Sequence, residues 1–271
     1  MSLGYQGEPQ SYSDTAAAEM LPEEERVGYS SFAAAFAALA SGEVGRLVLP
    51  VQNSTTGSIL PVLDRLVGGG VRIIAEHYLA VQHAILGVPG AELSEVREVR
   101  SHPEALTQAA ITLARLGCEP MPVHDTAGAV RLVASMKDPT IAALAPAWTA
   151  VPHGLEVLME NATDRDHNMT RFALLELGAP KVADDANKST VAFETGHTPG
   201  ALALAITEIG LRGGNLTRIE SRPTEEAWKF RFFIDLTHEP GLEGLAKVLD
   251  PVPRAMVKLD HLGSYREAQN S

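Results

Sequence analysis

The feature that most constrains the fold is a rhythm. Short apolar, β-prone runs alternate with Ala- and Leu-rich helical segments along the first two thirds of the chain. Val27-Gly28-Tyr29 is a strand, and Ser31 then caps a helix from Phe32 to Ala40 that ends at Ser41-Gly42. Arg46–Val51 is a strand, followed by a helix with Ile59, Leu60, Val62, Leu63 and Leu66 on its apolar side. Val71–Val88 is long and β-rich. Strands over Val96–Arg100, Glu119–Val123 and Ile141–Leu144 alternate with helices opening at Ser101-His102-Pro103 and Asp125-Thr126. Phe172–Leu177 closes the series as a buried strand. This β-α alternation predicts an α/β fold with a mostly parallel sheet covered by helices.

The pattern changes after Gly178–Lys188, a small and polar stretch that suits a domain boundary. Beyond it the order is strand (Thr190–Glu194), helix (Gly200–Leu211), strand (Leu216–Arg222), strand (Trp228–Leu236), helix (Leu242–Leu249), strand (Met256–Leu262). That is β-α-β-β-α-β, the ferredoxin-like arrangement. Its size suits a regulatory module.

With 271 residues and 45% apolar side chains, the chain can bury a sizeable core. The net charge of −12 argues against a nucleic-acid partner, which needs a basic face. Cys118 is the only cysteine, so no intramolecular disulfide forms, as expected of a cytoplasmic protein. No run approaches the roughly 20 apolar residues of a membrane span, and the N-terminus lacks the pattern of a signal peptide. His77 and His83 stand alone among apolar residues, without metal-ligand spacing, so no metal site is expected.

Three stretches carry candidate chemistry. Gln52-Asn53-Ser54-Thr55-Thr56-Gly57 is a polar elbow between a strand and a helix, the place where open α/β sheets build ligand crevices. An Asn/Ser turn that merely caps a helix is the plainer reading. Asn168-Met169-Thr170-Arg171-Phe172 follows the polar loop Asp164-Arg165-Asp166-His167 and puts a hydroxyl and a guanidinium at the mouth of a strand. A guanidinium there grips a carboxylate or faces away as a structural residue, because neighbouring strand residues point to opposite faces. Pro199-Gly200-Ala201-Leu202 opens a helix whose bare N–H groups suit an amino-acid carboxylate.

Together these blocks resemble the prephenate dehydratase family over nearly the whole chain. The resemblance rests on Gly4-x-x-Gly7 with Tyr12-Ser13, Pro50-Val51-Gln52-Asn53-Ser54 with Gly57, and Ser101-His102-Pro103 with Gln108. It continues through Asp125-Thr126-Ala127, Asn168–Phe172, Pro199–Leu202 and Glu220-Ser221-Arg222-Pro223. It implies a two-lobed catalytic domain like the periplasmic binding proteins over residues 1–183, with crossings near Ala75 and Leu155. An ACT regulatory domain of ferredoxin-like form would then occupy residues 188–271. The implied activity is decarboxylative dehydration of prephenate to phenylpyruvate, a carbon–oxygen lyase step of L-phenylalanine biosynthesis that needs no cofactor.

On that basis Thr170 is the candidate donor to the leaving hydroxide, with Asn53 and Gln108 orienting it. Ser54, Thr55, Thr56, Gly57, Thr126, Ala127, Arg171 and Phe172 are candidate substrate contacts, and the elbow N–H groups are a second carboxylate anchor. His102, a tempting acid, is read as part of a helix cap. L-phenylalanine is the implied effector, held by Pro199, Gly200, Ala201, Leu202, Asn215, Leu216, Glu220, Ser221, Arg222 and Pro223. A homodimer or homotetramer is implied. The chain departs from the family at Gln52, where Glu is usual, and at Glu104, where Gln is usual. Gln52 transfers no proton, which moves the donor role to Thr170. The alternatives are an arogenate dehydratase and a non-catalytic amino-acid sensor.

Overall fold

The computed structural model describes residues 2–68, 70–165 and 168–269; Asp166 and His167 of the polar loop lie outside them. In chain order the elements are β1 (Leu3–Gln6), α1 (Tyr12–Met20), β2 (Arg26–Tyr29), α2 (Phe32–Ser41), β3 (Arg46–Asn53), β4 (Gly57–Ser58), α3 (Leu60–Leu66) and β5 (Val71–Ala80). There follow β6 (Ala84–Gly87), β7 (Glu98–Ser101), α4 (Pro103–Gln108), α5 (Ala110–Leu116), β8 (Glu119–Pro122), α6 (Thr126–Met136), β9 (Ile141–Ala145), β10 (Glu156–Met159) and β11 (Met169–Leu177). The C-terminal elements are β12 (Lys188–Thr195), α7 (Ala201–Leu211), β13 (Asn215–Pro223), β14 (Phe230–Thr237), α8 (Gly241–Leu249) and β15 (Met256–Tyr265).

Local chemistry accounts for most boundaries. Ser31 Oγ accepts the Ala34 N–H at 3.2 Å at the start of α2, and Gly42 ends that helix in the left-handed region at φ 77°. Asp125 Oδ1 accepts the Gly128 N–H at 2.6 Å to open α6.

The chain divides into two units. One comprises Met1–Gln6, Ala16–Tyr78 and Arg171–Ser271, and the other Gly7–Thr15 and Leu79–Thr170. The return crossing thus falls between Thr170 and Arg171, not near Leu155 as the family resemblance implies. β10, just past Leu155, still pairs antiparallel with β6 in the second unit's sheet. The short segment Gly7–Thr15 also groups with the second unit, which nothing in the sequence signals.

The second unit carries a five-stranded sheet in the order β10-β6-β9-β7-β8. β7 runs parallel to β8 and β9, whereas β6 is antiparallel to β9 and β10. The sheet is therefore mixed where the rhythm predicts mostly parallel strands. Its two faces are covered separately. Ile85, Val99, Leu113 and Leu144 form one core, and Leu86, Val130, Val133 and Ile141 form the other.

The first unit holds two sheets. One has the order β2-β1-β3-β11-β5, with β4 folded back on β3, and β1 is parallel to both β2 and β3. The other is β13-β14-β12-β15, whose three pairings are all antiparallel, as the ferredoxin-like order requires. Period-two alternation gives this C-terminal sheet two apolar faces. Val191, Phe193, Ile234 and Leu236 pack beneath α7 and α8. Ala192 and Phe233 join Leu262 and Tyr265 in one core with Val71, Ile73, Ala173 and Leu175. The C-terminal segment is thus built onto the first unit, and Lys188, which looks like linker in the sequence, opens β12 at 2% exposure.

At Gly263 β15 lies tight against Ile73 of β5. A Cβ there would lie 2.2 Å from the Ile73 carbonyl oxygen. Gly263→Ala should therefore force backbone movement and cost about 1–3 kcal/mol, as overpacked cores do. Urea unfolding checks this, and a midpoint equal to wild type would show the contact to be soft.

Candidate active site and effector site

The polar elbow is a tight turn closed by its own side chain. Asn53 Oδ1 accepts the backbone N–H groups of Thr55 and Thr56 at 2.9 and 3.0 Å, and the Thr56 hydroxyl at 3.3 Å. Gln52 and Asn53 pair with Ser58 and Gly57 to complete a hairpin. Asn53 is 7% exposed, whereas Ser54, Thr56 and Gly57 are exposed. The turn therefore presents hydroxyls on a rigid frame. It corrects part of one expectation, that the N–H groups of Ser54 to Gly57 anchor a carboxylate: those of Thr55 and Thr56 are committed to Asn53 and do not serve.

The entry to β11 is held from behind by Gln108 and Asp164. Gln108 Oε1 accepts from Asn168 Nδ2 at 2.9 Å, and the Gln108 carbonyl accepts the Asp164 N–H at 2.8 Å. Asp164 in turn accepts the Ile111 and Thr112 N–H groups, both at 2.9 Å, at the start of α5. Burial pushes the Asp164 carboxyl up, but these N–H bonds outweigh it and hold it below the usual range. The Asn168 carbonyl accepts the Val81 N–H at 2.7 Å. Gln108 thus positions the residues before Thr170, whose side chain is largely buried at 8% exposure. Thr126 and Ala127 stand in the first turn of α6 and are half-buried. His102 accepts the Glu104 N–H through Nδ1 at 3.2 Å, the capping role that the sequence predicts.

Arg171 takes the structural alternative. Its Nη1 pairs with Glu76 Oε2 at 3.2 Å and its Nη2 with Asp235 Oδ2 at 2.6 Å, with 4% of the side chain exposed. Asp235 also binds Arg218 through Nε at 2.6 Å and accepts the Thr190 hydroxyl at 2.6 Å. Lys188 Nζ reaches Glu76 Oε1 at 2.9 Å. Burial alone would raise the Asp235 carboxyl and lower the Arg171 guanidinium. The paired opposite charges prevail, so Asp235 stays far below and Arg171 above their ordinary ranges. Arg171 is therefore not a carboxylate anchor, because strand alternation sends it with Ala173 and Leu175 toward the C-terminal sheet. Thr170 takes the opposite face. Phe172, 1% exposed, is a packing residue rather than an open contact. This network is what sequence reading missed. Its one signal was a charged Asp235 inside the apolar strand Phe232-Phe233-Ile234-Asp235-Leu236.

The segment Gly7–Thr15 is fastened by aromatic residues. The Tyr12 hydroxyl donates to the Gln82 carbonyl at 2.5 Å, and its ring meets His83 and Trp148 edge-on at 5.5 and 5.3 Å. Trp148 Nε1 donates to the Gln10 carbonyl at 3.2 Å. Burial pushes His83 down to about 4.

The candidate effector residues separate into two groups. Pro199, Gly200, Ala201 and Leu202 line a cavity of about 760 Å³, together with Trp228 and Phe230. Asn215, Leu216, Glu220, Ser221, Arg222 and Pro223 lie on β13 and are not among its lining residues. Leu216 packs against the apolar core of the module. Arg222 is bound to Asp64 of α3 by Nε–Oδ1 at 3.0 Å and Nη2–Oδ2 at 2.6 Å.

A family model described as prephenate dehydratase matches residues 3–179, and the chain belongs to the prephenate dehydratase family. It is 31% identical to the bifunctional N-acyl-homoserine lactone acylase/prephenate dehydratase of Komagataeibacter europaeus, over 97% of this chain and 95% of that one. It is 38% identical to arogenate dehydratase/prephenate dehydratase 1 of Arabidopsis thaliana over 82% of its length, and spans 57% of that longer, chloroplastic protein. Among solved structures, prephenate dehydratase of Arthrobacter aurescens in complex with L-Phe matches with a TM-score of 0.86 and 26% identity, covering 100% of this chain and 91% of that one. No helix among the described residues is long and apolar enough to cross a membrane.

Two outcomes follow. Asp235→Ala leaves two buried guanidinium groups without their shared anion and should cost about 3–5 kcal/mol in urea unfolding. His83, neutral when buried, contributes stability that is full above its unfolded value near 6.5. That stability is lost as the pH falls toward about 4. A pH series of urea midpoints should therefore flatten in His83→Gln between these limits.

Proposed function

We propose that the protein is a prephenate dehydratase under feedback control by L-phenylalanine. The observation that carries this is the strand-mouth constellation at Thr170, in a chain of that family. Gln108 and Asn168 brace the approach to the strand, and Arg171 anchors its opposite face. The reaction takes prephenate and one proton to phenylpyruvate, carbon dioxide and water. The ring carboxylate leaves as carbon dioxide, and its bonding pair enters the ring as the hydroxyl departs. The Thr170 hydroxyl donates a hydrogen bond to the oxygen as charge grows on it, and a proton from solution completes the water. Asn53 and Gln108 keep the surrounding hydroxyls and backbone in place. Ser54, Thr55 and Thr56 contact the substrate through their hydroxyls, and Gly57 contacts it through its backbone. The N–H groups of Thr126 and Ala127, at the positive end of α6, receive a carboxylate.

The C-terminal sheet with α7 and α8 acts as an ACT module that binds L-phenylalanine. The cavity beside Gly200 supports this reading: it joins a helix N-terminus to apolar Trp228, Phe230 and Phe232. The exposed apolar residues Leu204, Leu211 and Val257 on the same module support self-association as a dimer or tetramer. The protein works in the cytoplasm on this reading. Arogenate is the second substrate reading, favoured by the Arabidopsis relative's name.

A turnover assay with prephenate and with arogenate, with and without L-phenylalanine, tests the whole proposal. Phenylpyruvate formed from prephenate is the expected result, and absence of product from either compound would leave a binding protein. Thr170→Ala should lower kcat about 10²–10³-fold, the usual cost of losing one preorganised donor. Near-normal turnover would remove Thr170 from the mechanism.

A further inference from the structure

We infer that the Arg222–Asp64 ion pair is the link through which the effector state of the C-terminal module reaches the polar elbow. The inference rests on the regulatory reading above and adds its route. Four contiguous observations carry it. The cavity beside Gly200 is lined on one side by Trp228, Lys229 and Phe230, the start of β14. In the β13–β14 hairpin, Phe230 pairs with Pro223 and Arg231 with Arg222. Arg222 then grips Asp64 with two parallel bonds, the fork geometry that gives direction as well as attraction. Asp64 lies in the middle of α3, the helix that leaves the elbow at Asn53–Gly57 through β4.

A ligand that moves the hairpin tip must therefore move or release Arg222, and α3 feels it. Two features make this the sensitive point. The pair is only partly covered, with 27% and 44% of the two side chains exposed, so breaking it does not strand a buried charge. Further along the same face of β13, Arg218 is locked to Asp235 and lies 3.5 Å from Ser58 of β4. β13 is thus fixed at Arg218 and adjustable at Arg222. The register shifts between Leu216 and Arg218, and from Arg218 to Pro223 the pairing with β14 runs without a further break.

The test uses the full chain with Asp64→Asn, which keeps the shape of the side chain and removes its charge. The expected result is uninhibited turnover of prephenate within about twofold of wild type. L-phenylalanine should still bind, read by titration calorimetry, but the fold-reduction of turnover at saturating effector should fall at least fivefold, within the usual range of such couplings. Arg65→Gln, one residue further along α3, should keep wild-type inhibition. Full inhibition of Asp64→Asn overturns the link, as does equal loss in Arg65→Gln. Wild-type protein that turns over prephenate but ignores L-phenylalanine overturns the regulatory reading itself.

Discussion

The pairing of Arg171 with Asp235 and Glu76 decides how β11 presents itself. A strand has two faces, and a guanidinium drawn into one by two carboxylates sends its neighbours to the other. Arg171 is drawn to the side where the C-terminal sheet lies, beside Ala173 and Leu175. Thr170 is left on the opposite side. Buried ion pairs of this kind seldom add net stability over an apolar core, because desolvation offsets the attraction. What they supply is register: a slip of one residue along β11 would exchange the faces of Thr170 and Arg171 and take the guanidinium away from Glu76 and Asp235, leaving Glu76 to Lys188 and Asp235 to Arg218.

The same network explains why the C-terminal segment is not a detachable appendage. Its sheet alternates cleanly, with Val191, Phe193, Ile234 and Leu236 turned to α7 and α8. The other face holds Lys188, Thr190, Arg218 and Asp235, all buried. Those side chains find their partners partly on Glu76 and Arg171. An isolated module would expose this face to water with its charges unbalanced. The Arg222–Asp64 pair lies beyond this dry patch, with 27% and 44% of its two side chains exposed.

Legibility in the sequence follows the range of the physics. The caps at Ser31, Asp125 and His102 were readable because each closes a bond within three residues. The β-α-β-β-α-β order was readable because the apolar periods switch clearly between two and 3.6. The elbow was read as a candidate site, but the Thr55 and Thr56 N–H groups were misjudged, since Asn53 turns its own side chain onto them. Lys188 passed for linker, and the grouping of Gly7–Thr15 with the second unit went unsignalled, because their partners lie far along the chain: Glu76 for the first, Gln82 and Trp148 for the second. Composition carries no trace of such pairings. The substitutions at positions 52 and 104 read more simply in the structure. Gln52 completes a hairpin with Ser58, and Glu104 supplies negative charge to the first turn of α4.

The placement of Arg171 also bears on the proposed loss of carbon dioxide. A cation facing the substrate would stabilise the ring carboxylate and so oppose its departure as a neutral molecule. Here the strongest candidate cation is already neutralised by Glu76 and Asp235 and turned to the other face of its strand. The groups proposed for the substrate are instead hydroxyls, carboxamides and helix N–H groups, neutral donors whose attraction to an anion is modest. Such donors favour the alkoxide-like charge that develops late on the departing oxygen over the full carboxylate charge present at the start. On the proposed mechanism, aromatisation of the ring supplies the drive, and weak donors held still suffice.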